Sequence, residues 1–249
     1  MTAQLRTLSK ENAAGVAQHL VMAARLMDVE PSAAQAHAET AVRRAGRVPA
    51  AREVLGVLAY RQGDFGRALA EFRTARRLSG SAHLLPLIVD CERALGRLAR
   101  ALDLASSAEA GTLPTDERIE LAIVVSGIRR DLGQLEAALA ALRIPQLTSG
   151  ARRPWAPRLR YAYAEALLAL GRRDEAREWF ARASAADDDL STDAAERVEE
   201  LDGVVYQDLF DDPDPASVAS VETVPSGEAS ELVASPDSRL DGTAAPSQS

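Results

Sequence analysis

Few side chains of this 249-residue sequence have the type and spacing that acid–base, nucleophilic or metal chemistry requires. His19, His37 and His83 are the three histidines, and they lie far apart in the sequence. Cys91 is the only cysteine, so neither cysteines nor histidines form a pair with the spacing of a zinc site. We expect each histidine to occupy a surface or half-buried helical position, and Cys91 to be a small core residue.

The acidic residues and the lysine also lack the pattern of a catalytic or calcium site. Asp187-Asp188-Asp189 has neither the alternating spacing nor the central glycine and terminal glutamate of a calcium-binding loop. Lys10 is the only lysine, and the sequence contains no phosphate loop, dinucleotide fingerprint or serine-nucleophile motif. These observations predict a protein that is not an enzyme and that binds neither a cofactor nor a metal.

The charge changes sign along the chain. Residues 1–186 carry 27 basic and 20 acidic side chains, whereas residues 187–249 carry two arginines and 17 acids. Five pairs of adjacent arginines could contact phosphates, but only 4% of the residues are aromatic and could stack on bases. The acidic segment would also compete for these arginines. Nucleic acid is therefore disfavoured as a partner, and an RNA- or nucleoprotein-associated helical-repeat factor is the alternative interpretation.

The composition favours helices and a cytoplasmic location. Hydrophobic residues make up 47% of the chain and are dominated by alanine and leucine, which are strong helix formers. The single cysteine allows no internal disulfide. The apolar run at 20–24 is too short for a membrane span or for the core of a secretory signal, so we expect no membrane association.

A glycine followed five residues later by an alanine occurs four times in the sequence. The pairs are Gly63/Ala68, Gly96/Ala101, Gly133/Ala138 and Gly171/Ala176. The glycine suits the left-handed residue after a helix C-terminus, and the alanine suits a close crossing with the next helix. Successive alanines are 33, 37 and 38 residues apart. This period predicts helical hairpins in tandem, with an earlier unit marked by Pro31 and Ala34.

Residues 49–82 form the most complete unit, with Leu55 and Gly56 in the first helix and Ala68, Phe72 and Ala75 in the second. At these positions the sequence resembles the tetratricopeptide repeat, a helix–turn–helix of 34 residues. The resemblance implies an all-α fold, a right-handed solenoid of about five tandem helix–turn–helix units, with the three histidines in different units. The longer spacings fit loop insertions at 111–115 and 145–157.

The repeat domain is predicted to cover residues 15–202, between a flexible N-terminus at 1–14 and an acidic, disordered tail at 203–249. Ser191-Thr192-Asp193 is expected to cap a short last helix that ends near Leu201. The tail is rich in Pro, Ser, Asp and Glu and has too few apolar residues to bury a core of its own.

The resemblance also implies that the first helix of each unit lines a concave groove that binds a segment of another protein. Transferring the family's groove positions onto this sequence gives Glu53, Val57, Tyr60, Asp90, Arg93, Arg130, Arg158, Tyr161 and Glu165 as partner-groove residues. The same transfer places His83, Glu120, Ile123 and Gly127 on this face. We therefore expect a non-catalytic protein–protein interaction scaffold or adaptor.

A short apolar motif interrupts the acidic tail. Tyr206, Leu209 and Phe210 follow the i, i+3, i+4 spacing of one helix face. Because the acidic tail and the basic body attract each other, we expect this motif to dock onto the repeat body, in its groove or at its C-terminal end. Docking would then either regulate the access of a partner or cap the last repeat.

Overall fold

The computed structural model describes residues 8–149 and 153–203, which form eleven α-helices and no β-strand. The helices are α1 Lys10–Leu26, α2 Pro31–Ala45, α3 Pro49–Arg61, α4 Phe65–Ser79, α5 Leu85–Ala94, α6 Leu98–Ala105, α7 Thr115–Asp131, α8 Leu135–Leu142, α9 Ala156–Ala169, α10 Arg173–Ser184 and α11 Ala194–Leu201. Two 3-10 turns, Ala110–Thr112 and Pro145–Thr148, overlap the predicted loop insertions. None of the described helices is long and apolar enough to span a membrane.

The first ten helices pack as five hairpins, each with a first and a second helix, and α11 packs against α10. Each hairpin also packs against the next, since α2 contacts α3, α4 contacts α5, α6 contacts α7 and α8 contacts α9. Buried apolar side chains form clusters both within and between hairpins, so no hairpin buries its apolar face alone. The predicted all-α fold of tandem helix–turn–helix units is confirmed.

Four glycines form the turns within the second to fifth hairpins. Gly63, Gly96, Gly133 and Gly171 have φ between 70° and 77°, the left-handed region in which a side chain causes strain. The fourth residue of each following helix is a completely buried alanine: Ala68, Ala101, Ala138 and Ala176. The predicted pairing of turn glycine and helix-crossing alanine is therefore confirmed in all four hairpins.

Gly56 and Phe72 hold the second hairpin together. A Cβ atom on Gly56 of α3 would lie 2.7 Å from ring carbons of Phe72, which is completely buried in α4. The missing side chain lets the ring lie directly against the backbone of α3.

The first helix begins earlier than the predicted domain boundary. α1 starts at Lys10, so residues 10–14 belong to a helix and not to a flexible N-terminus. The hydroxyl of Ser9 accepts a hydrogen bond from the backbone N–H of Asn12 and caps this helix. Val16, further along α1, is completely buried. The cap, rather than the first buried residue, sets the start of the helix.

The predicted last helix is present as α11, but the side chains before it do not cap it. Asp193 occupies the N-cap position and makes no capping hydrogen bond with its side chain. Ser191 and Thr192 instead donate hydrogen bonds from both their backbone N–H and hydroxyl groups to the carboxylate of Asp187. The predicted side-chain cap was wrong because this buried carboxylate captures the same hydroxyl groups.

Because α11 belongs to the folded part of the chain, the net charge is better compared between residues 1–203 and residues 204–249. Residues 1–203 carry 28 basic and 28 acidic side chains, and residues 204–249 carry one arginine and nine acids. The net charge of −8 therefore belongs entirely to residues 204–249, and the chain up to Gly203 is neutral rather than basic. The predicted docking motif of Tyr206, Leu209 and Phe210 lies outside the described residues.

Candidate functional site

The first helices α3, α5, α7 and α9 share one surface, which we call the groove. Two adjoining cavities open on it. The larger has a volume of about 440 Å³ and is lined by residues from α3 to α9. The smaller has a volume of about 240 Å³ and is lined by residues from α5 to the loop before α11. Arg93, Ile123 and Arg158 line both, so the two cavities are neighbours along the groove.

Most of the groove residues predicted from the sequence surround these cavities. The structure brings together Tyr60, Asp90, Arg93, Arg130, Arg158, Tyr161 and Glu165. Glu53 is adjacent, because its carboxylate lies 3.2 Å from Nε2 of His83, which lines the larger cavity. Val57 lines neither cavity and packs, half-buried, against the apolar cluster between α3, α4 and α5.

Hydrogen bonds join α3, α5 and α7 beside the larger cavity. The hydroxyl of Tyr60 donates to Asp90, and burial together with this contact raises the pKa of the Tyr60 phenol. Arg93 lies 3.3 Å from Asp90 and holds Asp131 of α7 through Nε at 2.6 Å and Nη2 at 3.3 Å. This network fixes Arg93, which lines both cavities.

Arg93 reaches Asp131 because Gly127 lies beneath its guanidinium group. A Cβ atom on Gly127 would lie 2.7 Å from Nη1 and 2.8 Å from Cζ of Arg93. Gly127 and Asp131 are four residues apart and therefore share one face of α7. Gly127 is one of the transferred groove positions, and in the structure the guanidinium of Arg93 lies against its backbone.

A second network joins α7, α9 and α11 around Glu165 at the smaller cavity. Glu165 accepts hydrogen bonds from Arg130 at 2.9 Å and from Arg197 of α11 at 3.1 Å. The guanidinium of Arg197 also lies over the ring of Phe180, 5.4 Å from its centroid. Arg197 was missed by the transferred positions because it lies in the helix that follows the repeats.

Arg158 and Glu120 pair at the larger cavity, with 2.9 Å between Nη2 and Oε2. Burial raises the pKa of the Glu120 carboxyl, and the positive charge of Arg158 only partly offsets this effect. A second cation beside Glu120, supplied by a partner, would therefore stabilise a carboxylate that is poorly solvated.

The groove carries more acidic than basic side chains. Those that line it or form ion pairs with its lining residues are the acids Glu53, Asp90, Glu117, Glu120, Asp131 and Glu165 and the arginines Arg93, Arg130, Arg158 and Arg197. Six carboxylates and four guanidinium groups make the groove negative, although the chain up to Gly203 is neutral. Glu117 and Asp131 lie within one turn of the transferred positions, where a wider search of the same helix face would have found them.

The histidines and the cysteine show no catalytic arrangement. His19 of α1 and His37 of α2 lie in the same hairpin, contrary to expectation, with 2.8 Å between their Nδ1 atoms. Burial and the neighbouring His37 lower the pKa of His19. Cys91 is completely buried, and burial raises the pKa of its thiol to about 12. Among the described residues, no group of three or more histidine, cysteine, aspartate or glutamate side chains could hold a metal ion.

The chain is similar in sequence to a known repeat family. Two sequence models of the tetratricopeptide repeat match, one at residues 30–83 and the other at residues 129–196. The first segment contains α2, α3 and α4, and the second contains α8, α9 and α10. No curated protein matches the chain at a significant level.

Several solved structures have the same fold. A thermophilic TPR protein of Thermus thermophilus is 23% identical, with a TM-score of 0.60 over 75% of this chain and 98% of that chain. PilW, a type IV pilus biogenesis factor, is 19% identical, with a TM-score of 0.56 over 80% and 89% of the two chains. A putative kinesin light chain of Podosopora anserina is 16% identical, with a TM-score of 0.54 over 69% and 94%. The sequence matches therefore show tetratricopeptide repeats at residues 30–83 and 129–196, and the solved structures show that the chain has the same fold.

Proposed function

We propose that the protein is a non-catalytic scaffold that binds an extended segment of a partner protein in the groove of α3, α5, α7 and α9. The fold supports this function, since helical repeats form extended binding surfaces. The observation that supports the groove as the site is the pair of neighbouring cavities, lined from four repeats. A volume of about 440 Å³ lies within the range of binding pockets, and two cavities in series suit a peptide.

The larger cavity suits a segment that combines an apolar side chain with a basic one. Its apolar wall consists of Pro86, Leu87, Ile123 and Val124. Glu117 and Glu120 lie on the same face of α7, three residues apart, and a lysine or arginine of the partner could contact both carboxylates. The negative charge of the whole groove attracts a basic segment and repels an acidic one.

The same charge argues against the alternative function. An RNA- or nucleoprotein-associated factor needs an excess of basic groups along its binding surface, whereas acids outnumber arginines in this groove. For the same reason, the groove offers no attraction to the acidic segment that contains Tyr206, Leu209 and Phe210. A cytoplasmic location, which the composition favours, stays a prediction.

Peptide selection on the full-length chain tests this function. A displayed library of random peptides should yield binders that are positively charged and that place a basic residue beside an apolar one. Ile123 lines both cavities, so Ile123→Arg introduces a long cation where the peptide is expected to lie. We expect the selected peptides to bind this variant at least about tenfold more weakly.

Leu132→Arg is the matched control. Leu132 directly follows α7, is 40% exposed and lies outside both cavities, so this substitution should leave peptide affinity unchanged. Circular dichroism should show a helical spectrum for both variants. Selected peptides that are acidic, or that bind Ile123→Arg as tightly as the wild type, would contradict the proposed site. A library that yields no binder would contradict the function itself.

A further inference from the structure

The second helices α4 and α6 carry a cluster of arginines that the groove does not use. We call it the arginine patch, and it consists of Arg73, Arg76, Arg77, Arg97 and Arg100. None of these side chains lines either groove cavity. Arg73, Arg97 and Arg100 contact Glu92 of α5, and Arg76 contacts Glu109 of the loop after α6.

Glu92 is completely buried, and three arginines contact its two carboxylate oxygens. Arg73 and Arg100 contact Oε1, Arg100 through Nε at 3.1 Å. Arg97 contacts Oε2 at 3.2 Å. One arginine would neutralise the carboxylate, so this cluster keeps two positive charges in excess. The buried carboxylate thereby holds three guanidinium groups in fixed positions at the surface.

Arg76 and Arg77 extend the patch along α4. Arg76 contacts both oxygens of Glu109, through Nε at 2.9 Å and through Nη2, and this pair is neutral. Arg77 is exposed and forms no ion pair with any described residue, so it adds a third positive charge. A cavity of about 350 Å³ lies between these two arginines, Arg73 and Glu109.

We propose that the arginine patch is a second docking surface, which binds an acidic segment of a partner protein. The five arginines exceed Glu92 and Glu109 by three positive charges, and by two when the exposed Asp103 of α6 is included. This excess is local, because the chain up to Gly203 is neutral and the groove is negative. Arginine binds carboxylates through two parallel hydrogen bonds, as Arg76 already binds Glu109.

An acidic protein segment fits this patch better than a nucleic acid does. Surfaces that bind single strands combine arginines with aromatic side chains on which the bases stack. The arginine patch includes no aromatic side chain, and Phe72, which lies beside Arg73 in α4, is completely buried. The patch shares no residue with the groove, so a partner could occupy both surfaces at once, with a basic and an acidic segment.

Binding of a labelled oligoglutamate peptide to the full-length chain, followed by fluorescence anisotropy, tests the proposal. Arg77→Gln combined with Arg100→Gln removes two exposed charges, leaves Arg73 and Arg97 on Glu92 and adds no carboxylate beside it, so the fold should be retained. We expect binding to weaken by about tenfold or more. Wild-type binding should also weaken as salt rises from about 0.01 M to about 0.1 M, because the Debye length falls from about 30 Å to about 10 Å.

Arg25→Gln combined with Arg47→Gln is the matched control, since it makes the same charge change at exposed arginines in α1 and before α3. This variant should bind oligoglutamate like the wild type. Ile123→Arg should do so as well, because it changes the groove and leaves the arginine patch intact. Equal weakening in the two double variants would show attraction to net charge alone and overturn the proposal. Absence of wild-type binding, or tighter binding of a single-stranded RNA of equal charge, would overturn it as well.

Discussion

The guanidinium of Arg93 lies on the backbone of Gly127, so close that a Cβ atom on Gly127 would lie 2.7 Å from Nη1 of Arg93. This contact joins α5 to α7 and lets Arg93 hold Asp90 and Asp131 at the same time. A glycine inside a helix costs about 0.5–1 kcal/mol relative to alanine. Gly127 therefore lowers the stability of α7, but its missing side chain leaves the space in which Arg93 is held at the two cavities.

Gly127→Ala should separate stability from binding. The new methyl group displaces the flexible end of Arg93 and breaks its contacts with Asp131, while alanine restores about 0.5–1 kcal/mol of helix propensity. The free energy of unfolding in urea should change by less than about 1 kcal/mol, because an exposed ion pair contributes about as much as the propensity gain. Affinity for groove-selected peptides should fall by about tenfold. A large loss of stability with unchanged affinity would show that Gly127 serves packing only.

Gly56→Ala should instead lower stability, because its neighbour cannot move aside. Phe72 is completely buried, so a methyl carbon 2.7 Å from its ring forces the ring or α3 to shift. Overpacking of this kind costs about 1–3 kcal/mol, which urea unfolding would measure. Gly66→Ala in α4 is the control, since the nearest atom to its Cβ is Oδ1 of Asp64 at 3.8 Å. Similar effects of the two substitutions would contradict the close packing of Gly56 on Phe72.

Asp187 should make stability depend on pH under acidic conditions. Burial raises the pKa of Asp187, but hydrogen bonds from Thr192 and Ser191 outweigh burial and hold the pKa at about 2, below its ordinary value of 3.8. Because the folded state favours the ionised carboxylate, this contribution is complete above about pH 4. It is lost as the pH falls towards about 2.

Asp187→Asn should therefore lower the free energy of unfolding at neutral pH and reduce its change between about pH 4 and pH 2. Urea unfolding followed by circular dichroism at several pH values measures both effects. Asp189→Asn removes an exposed carboxylate from the same loop and should follow the wild-type curve. Parallel curves for the wild type and Asp187→Asn would contradict the lowered pKa.

The sequence predicts those features that recur in every unit, because short-range rules determine them. Turn glycines such as Gly63 follow from the repeat period, and most of the groove residues follow from the resemblance to the tetratricopeptide repeat. Contacts between helices do not follow from it: His19 and His37 meet because α1 and α2 pack against each other at that level. The negative sign of the groove likewise depends on Asp131 at the end of α7, and Arg197 reaches Glu165 only because α11 packs on the last hairpin.

Leu190 occupies an unfavourable conformation in the loop between α10 and α11. Its φ is 49° and its side chain is 86% exposed, so neither the backbone nor contact with the core favours a leucine. A left-handed conformation costs an L-residue about 1–2 kcal/mol, and glycine avoids this cost. The strain is imposed by the neighbouring hydrogen bonds, in which Ser191 and Thr192 are both held by Asp187.

Leu190→Gly should therefore raise the free energy of unfolding by up to about 1 kcal/mol, after the larger entropy loss of glycine on folding is subtracted. Val29→Gly is the matched control, because Val29 is 75% exposed in the turn between α1 and α2 and does not have a positive φ. That substitution relieves no strain and should lower the free energy of unfolding by about 0.5–1 kcal/mol. Urea unfolding of the two variants should thus give changes of opposite sign. A lower free energy of unfolding in both variants would contradict backbone strain at Leu190, because glycine would then relieve no strain at either position.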